Sequence, residues 1–446
     1  MAEDKPNSGQ KLSHKLANFT ANFSLETAPA KALDNAKLAI LDCLGVAMLA
    51  TSQEIGANLL KFANANSSAG ACTIWGTSRT ASPRDAALIN GTLAHGLDYD
   101  DRNHSTTYTL ATSLAVSEQL NLSGVKMLAA FIVGREVRNS LDALFGRRGD
   151  GIGPGAKGWH SNGILGPIAA ACSASHALNL STTETLAAIG LAAGSCGALT
   201  RDGGTMAKPF RTGHAAATGL TCALLAQNGF SSDDIAIEGR FGLLEALGPI
   251  PDDLVAALAR ELGVNFQLAH ELRIKPHASC TATHNGLEAM LRLARQHDLK
   301  PENIESIECD QKPYPLVRQI PQRGYEGRFS MAYCLAIALI HRQLNPGDFI
   351  DRNVTQPLVQ DLMRRVRHTP GGPALVVNLK NGARLEEKLQ TPSDLHGWDE
   401  VENKFRAATG AILNSRNIAA AIDQVHALES LASIQSLTQS LKSSPT

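Results

Sequence analysis

The sequence predicts a mainly α protein: a large all-helical domain interrupted by a smaller α+β domain. Three observations predict it. Apolar residues recur at helical spacing from about residue 12 to 265, without clear strand alternation. Short β-compatible runs and an Asn-Gly dipeptide cluster between about 266 and 395. Helical spacing then resumes after Trp398 and continues to about Leu441. The expected domains are therefore 1–265 plus 396–446, all-helical and discontinuous, and 266–395, α+β. A chain of 446 residues is long enough for two cores.

Individual elements follow from local chemistry. Leu33, Ala36, Ile40, Leu44 and Ala47 fall on one helix face. Ser181 and Glu184 form a capping box that opens a helix over Thr185–Ala193. A small-residue helix over Gly213–Gln227 stops at Asn228-Gly229. Pro251-Asp-Asp253 starts another helix, which Gly263 ends. In the inserted domain, Ile304–Cys309 reads as a strand. Ala374–Leu379 and Arg384–Leu389 read as a hairpin joined by a type I′ turn at Asn381-Gly382. Helices over Thr281–His297 and Phe329–Arg342 accompany these strands.

Composition narrows the function. A net charge of -1 argues against nucleic-acid or membrane-surface binding. Eight cysteines without a CxxC pair read as reduced thiols, not as a disulfide framework, zinc site or iron–sulfur cluster. The polar start of the chain has no signal core, and no apolar run reaches membrane-spanning length, so a cytoplasmic protein is expected.

The segment His95–His104 holds three aspartates and two histidines within ten residues. Nearby carboxylates repel one another and burial disfavours their charge, so such crowding points to proton transfer, a metal or a tuned pKa. A solvated, helix-capping loop is the alternative. His95, Asp98, Asp100, Asp101 and His104 are metal-compatible types, but neither HExxH nor an EF-hand pattern is present, and no metal is expected. Gly153, Gly155 and Gly158 satisfy GxGxxG without a preceding strand, which argues against a phosphate loop. That loop instead delivers Trp159 and His160 to a helix start, where the dipole favours neutral imidazole. Lys208, Arg211 and His214 lie before and within the first turn of the next helix. Cations there oppose the macrodipole, a conflict that an anionic ligand would relieve. Lys275 and His277 again precede a helix, and Tyr333 adds a phenol.

In this order, these segments resemble the MmgE/PrpD family. The matching pieces are Asn90–Asp101 with His104; Gly158-Trp-His160; Gly204–Pro209; Gly229-Phe230 with Glu238–Gly242; Lys275–Cys280 with Thr283-His284; Arg328–Tyr333; and Asn381-Gly382 followed by Lys404-Phe405. The resemblance implies a homodimer with an active site between its two domains, rich in histidine and lysine. The family's activities include 2-methylcitrate dehydratase, cis-aconitate decarboxylase and iminodisuccinate epimerase. Carried over by motif, the pocket residues are Asp98, His104, His160, Lys208, Lys275 and Tyr333. Arg102 stands where the family's dehydratases and decarboxylases commonly have Thr, and only Arg102-Asn103 separate Asp101 from His104.

The implied chemistry needs no cofactor. Proton abstraction or carbon dioxide loss beside a carboxylate builds negative charge, which fixed cations stabilise. Lys208 and Lys275 are the expected carboxylate clamps, with Arg102 as an added one. His104 and His160 are the expected proton-transfer pair, Asp98 the orienting group and Tyr333 a proton donor. A 2-methylcitrate dehydratase-like lyase acting on a small di- or tricarboxylate is the leading expectation. An epimerase or decarboxylase on the same scaffold is the alternative, and a non-catalytic binding protein a further one. A class II terpene cyclase shares the DxDD run, but its cation needs an aromatic cavity that 4% aromatic residues supply poorly.

Overall fold

Helix α1 (Ala30–Thr51) sits inside the larger core. Ala36, Ile40, Leu44 and Ala47 are fully buried, and Leu33 is half-buried beside them. The computed structural model describes residues 11–145, 154–248, 250–310, 317–372, 374–390 and 394–443. The same core holds α2 (Pro83–His95), α3 (Ser105–Gln119) and α4 (Gly124–Asp142), which pack on α1, and α5 (Ser161–Ala177), α6 (Thr182–Gly194) and α7 (Ala207–Gln227), which pack on one another. Ser181 and Glu184 make the expected capping box at the start of α6. Helix α7 begins six residues earlier than its small-residue run implies, which places Lys208 in its first turn. Among the described residues, no single helix is long and apolar enough to cross a membrane.

Small residues let these helices approach closely. Gly91 on α2 faces Gly213 on α7, where an added Cβ would lie 3.1 Å from the Gly213 Cα. A Cβ on Gly213 would meet the Leu88 carbonyl oxygen and the Thr92 hydroxyl within 2.1 Å. The Thr212 hydroxyl donates to the Gly91 carbonyl at 2.8 Å across the same contact.

The second core joins α8 (Thr281–Gln296), α9 (Met331–His341) and α10 (Pro357–Arg365) to a four-stranded sheet. Its strands are β1 (Ile304–Cys309), β2 (Val366–His368), β3 (Ala374–Leu379) and β4 (Arg384–Lys388), in the order β2-β1-β3-β4. β2 runs parallel to β1, and the other pairs are antiparallel. β2 escaped sequence reading because it is a three-residue edge strand with little apolar content. Two-residue strands at Cys72–Thr73 and Thr80–Ala81 are too short to show alternation.

The expected type I′ turn is corrected. Gly382 has φ 87°, but Asn381 is not left-handed, whereas type I′ needs both central residues at positive φ. The Gly382 N–H donates to the Leu379 carbonyl and the Leu379 N–H to the Ala383 carbonyl. The connection is a three-residue loop closed by a left-handed glycine.

The first core runs through Phe266, Leu268, Leu272 and Ile274, and the second begins at Ala278. Helix α11 (Trp398–Thr409) returns to α1, with Phe405 against Gly45. Replacing Gly213 by Ala overpacks the α2–α7 contact. We expect a loss of about 1–3 kcal/mol in urea unfolding, while Gly229→Ala, with open space around its Cβ, costs only its φ strain.

Candidate active site

The loop between α2 and α3 is bent by two left-handed residues, Asp98 (φ 50°) and His104 (φ 61°). Such a conformation costs a non-glycine residue of order 1 kcal/mol or more. Here it aims both side chains into one cavity of about 380 Å³. Short bridges anchor the loop: the Arg102 N–H donates to the Arg273 carbonyl at 2.9 Å, and Asp101 and Leu395 flank Ile274 as isolated bridge partners.

Each of the three aspartates has its own partners. Asp98 is fully buried, with Lys275 Nζ 2.6 Å from Oδ1 and Lys208 Nζ 3.0 Å from Oδ2. Lys275 Nζ also donates to the Asp98 carbonyl at 2.9 Å. Burial works to raise the Asp98 carboxyl, but Lys208 and Lys275 override it and hold the group well below the usual carboxylate range. Burial lowers Lys208 despite Asp98. For Lys275, burial is outweighed by Asp98 and Asp100, and its ammonium is raised.

Asp100 holds two imidazoles. Its Oδ2 accepts from His104 Nδ1 at 2.9 Å and its Oδ1 from His95 Nδ1 at 3.0 Å, with the rings 4.1 Å apart. Burial works against its charge, but the two histidines hold Asp100 far below the usual carboxylate range. Asp101 serves the scaffold. Its Oδ2 lies 2.7 Å from Arg135 Nη1 and accepts the Thr106 N–H at the start of α3.

The hydrogen bonds assign the tautomers. His104 Nδ1 donates to an ionised carboxylate, so Nε2 carries the lone pair, 3.7 Å from Asp98 Oδ1. Burial, then Lys208 and Lys275, depress this imidazole against the pull of Asp100. His160 is the reverse case. It caps α5, and its Nδ1 accepts the Asn162 N–H at 3.3 Å, so the neutral ring bears its proton on Nε2. The cavity therefore holds one imidazole built as a base and one built as a donor.

Asp98, Arg102, His104, His160, Lys208 and Lys275 all line this cavity. Arg102 is held by Asp394, 2.6 Å away, which limits it as a clamp. Tyr333 is corrected: it lies in the second core, fully buried, with its hydroxyl donating to the Asp348 carbonyl, and it does not line the cavity. Its position one turn into α9 points the ring at Gly327 and Phe349. Of the glycine-rich loop, Gly151–Gly153 lie outside the described residues.

Sequence reasoning missed two cations. Arg138, near the end of α4, lines the cavity with Asp142. Its signal was an arginine in a helix otherwise buried along most of its length. Lys404 on α11 is buried against Asp42 at 2.6 Å and donates to the carbonyls of Tyr99 at 2.7 Å and Lys275 at 3.0 Å. Burial pushes the Asp42 carboxyl up to about 6 against the pull of Lys404. Lys404 thereby pins the backbones of both catalytic segments.

His95, Asp98, Asp100 and His104 offer ligand atoms within 4.8 Å of one another. Asp98 already faces two ammonium groups and Asp100 two imidazoles, so a divalent ion there would compete with charges the fold supplies.

A buried cleft with several fixed cations and two histidines fits a class of helical enzymes that act on carboxylate substrates. The chain belongs to the MmgE/PrpD family. The family's N-terminal domain model matches residues 14–252 and its C-terminal domain model residues 277–429. The chain is 28% identical to cis-aconitate decarboxylase of Mus musculus, covering 91% of this chain and 88% of that protein. The corresponding protein of Homo sapiens is 26% identical, over 92% and 90%. That of Aspergillus terreus is 25% identical, over 96% and 95%. Family and relatives mark the chain as an enzyme of lyase type.

Burial, aided by Lys208, pushes His95 down to about 3 from 6.5. A depressed imidazole contributes stability that is whole above pH 6.5 and is lost as pH falls toward 3. Each such group adds a slope of up to about 1.4 kcal/mol per pH unit in that window. Urea unfolding between pH 7 and 4 should show a steep acid limb, and His95→Asn should flatten it. An unchanged slope would assign the acid limb to other groups.

Proposed function

We propose that this enzyme is a cofactor-independent carboxy-lyase acting on a small unsaturated tricarboxylate of the cis-aconitate type. The observation that carries this reading is the single buried carboxylate of Asp98 shared by Lys208 and Lys275, in the same cavity as His104 and His160. An ammonium has three donors. Lys275 gives two to Asp98, so one remains for a ligand, and Lys208 retains more. Asp98 fixes the two ammonium groups and leaves the trio with one net positive charge.

The free enzyme presents neutral His104. Burial and then the lysines depress the imidazole; a bound trianion offsets the lysine part and, with Asp100 on the other side, favours proton uptake at Nε2. Loss of one carboxylate as carbon dioxide leaves its electron pair on carbon. His104 Nε2 delivers its proton to that carbon and is recharged from water. His160 Nε2–H donates to a carboxylate oxygen as charge develops.

The decarboxylase relatives favour carbon–carbon cleavage over the 2-methylcitrate dehydratase reading.

The test is incubation with cis-aconitate in deuterated buffer, read by NMR. A five-carbon unsaturated dicarboxylate carrying one deuterium is the expected product. Turnover of 2-methylcitrate without carbon dioxide release would restore the dehydratase instead. His104→Gln should lower kcat by about 10²–10⁴. Calorimetry of tricarboxylate binding in buffers of different ionisation enthalpy should show proton uptake near pH 7. Affinity should therefore weaken as pH rises, and binding without proton exchange would remove His104 as the donor.

A further inference from the structure

Arg138 is a buried guanidinium with incomplete bonding. It is 2% exposed. Its Nη1 donates to Asp142 Oδ1 at 2.7 Å. Its Nη2 reaches Ser161 Oγ and Asn162 Oδ1 only at 3.4 Å each, and the same Asn162 oxygen is 3.4 Å from the Tyr108 hydroxyl. Its Nε is buried and has no hydrogen-bond partner among the described residues. Nε and Nη2 form one edge of the guanidinium, the edge that takes a carboxylate through two parallel bonds. That edge has only long contacts at Nη2, and the Tyr108 hydroxyl is a further partner of the guanidinium, while the opposite nitrogen is held by Asp142.

The placement matters as much as the bonding. Arg138, Ser161 and Asn162 line the same cavity as Lys208 and Lys275, although they stand on α4 and α5 while the lysines come from α7 and the segment before α8. Among the described residues, the charged side chains that line it are Lys208, Lys275, Arg102 and Arg138 on one side of the balance and Asp98 and Asp142 on the other. Arg102 is paired with Asp394 and the lysines share Asp98 while keeping donors for a ligand, and Arg138 adds a further cationic position from α4. A ligand oxygen that replaces the 3.4 Å contacts of Nη2 with a shorter charge-assisted bond would strengthen the bonding of this buried cation.

We propose that Arg138, with Asn162 beside it, is a further carboxylate subsite, which takes the third carboxylate of a tricarboxylate, beyond the two that Lys208 and Lys275 hold. This deepens the polycarboxylate reading and rests on it. Arg138 then decides how many carboxylates the enzyme demands. The lysine pair accepts the two carboxylates of a dicarboxylate, and the arginine selects molecules with a third. Asp142 competes for the guanidinium from the cavity rim, where its side chain is 49% exposed.

The test uses two inert probes, propane-1,2,3-tricarboxylate and succinate, titrated by calorimetry into the full-length wild type, Arg138→Gln and Asp142→Asn. Wild type should bind the tricarboxylate about tenfold or more tighter than succinate. In R138Q that preference should fall to about unity, with succinate affinity unchanged. In D142N, where a half-exposed side chain is altered, tricarboxylate affinity should rise more than succinate affinity, and the gain should vanish when R138Q is added. A preserved preference in R138Q, or equal weakening of both probes, overturns the subsite. If R138Q does not fold, D142N decides: an equal or absent gain overturns the proposal. Failure of wild type to bind either probe would sink the polycarboxylate reading itself, a result distinct from binding both probes with an unaltered preference.

Discussion

One buried carboxylate organises this protein. Asp98 is the point where two ammonium groups from separate elements meet, Lys208 from the first turn of α7 and Lys275 from the chain between the two cores. Neither lysine is placed by its own surroundings. Lys208 stands at a helix N-terminus, where the dipole disfavours it, and both are desolvated. Without Asp98 the two charges would repel in a dry pocket. With it they become a fixed, net-cationic pair that faces a ligand and needs little reorganisation as charge develops.

The same rule resolves the crowding of aspartates in the loop. Three adjacent carboxylates would be untenable if they shared one environment. They are separated by what they face: Asp98 the lysines, Asp100 the two imidazoles, Asp101 the guanidinium of Arg135. Chemistry is thereby divided among charge placement, imidazole orientation and scaffold support within four residues. Lys404 extends the arrangement to the C-terminal helices, because its ammonium holds the main chain beside Asp98 and at Lys275 together.

Much of this was legible in the sequence, and the omissions have physical reasons. The helix faces, the α6 capping box and the hairpin strands were readable because their signals are local. Asp98, His104, His160, Lys208 and Lys275 stood out as ionisable groups in apolar or glycine-rich company. Residue spacing gives no account of distance across a fold, and that is why Tyr333 was misplaced. It follows a serine that caps α9, and that cap turns its ring into the second core. Arg138 looked like an ordinary ion pair with Asp142 one turn on, since nothing along a helix shows that it also lines a cavity. The role of Asp100 is also three-dimensional: His95 precedes it by five residues and His104 follows by four, and only the two left-handed bends around it bring both rings to one carboxylate.

The chain crosses from the first core to the second between Ile274 and Ala278, and Lys275 is the first residue of that crossing. Its backbone carbonyl is gripped from α11, its ammonium by the α2–α3 loop, and the buried guanidinium of Arg328 ties that loop at Leu97 to Ala278. The reactive centre is thus assembled only while both lobes are seated against each other. Loosening of the smaller lobe would silence the enzyme while the larger helical body remained folded, so that catalysis reports on the docking of the lobes more sensitively than any bulk measure of helix content.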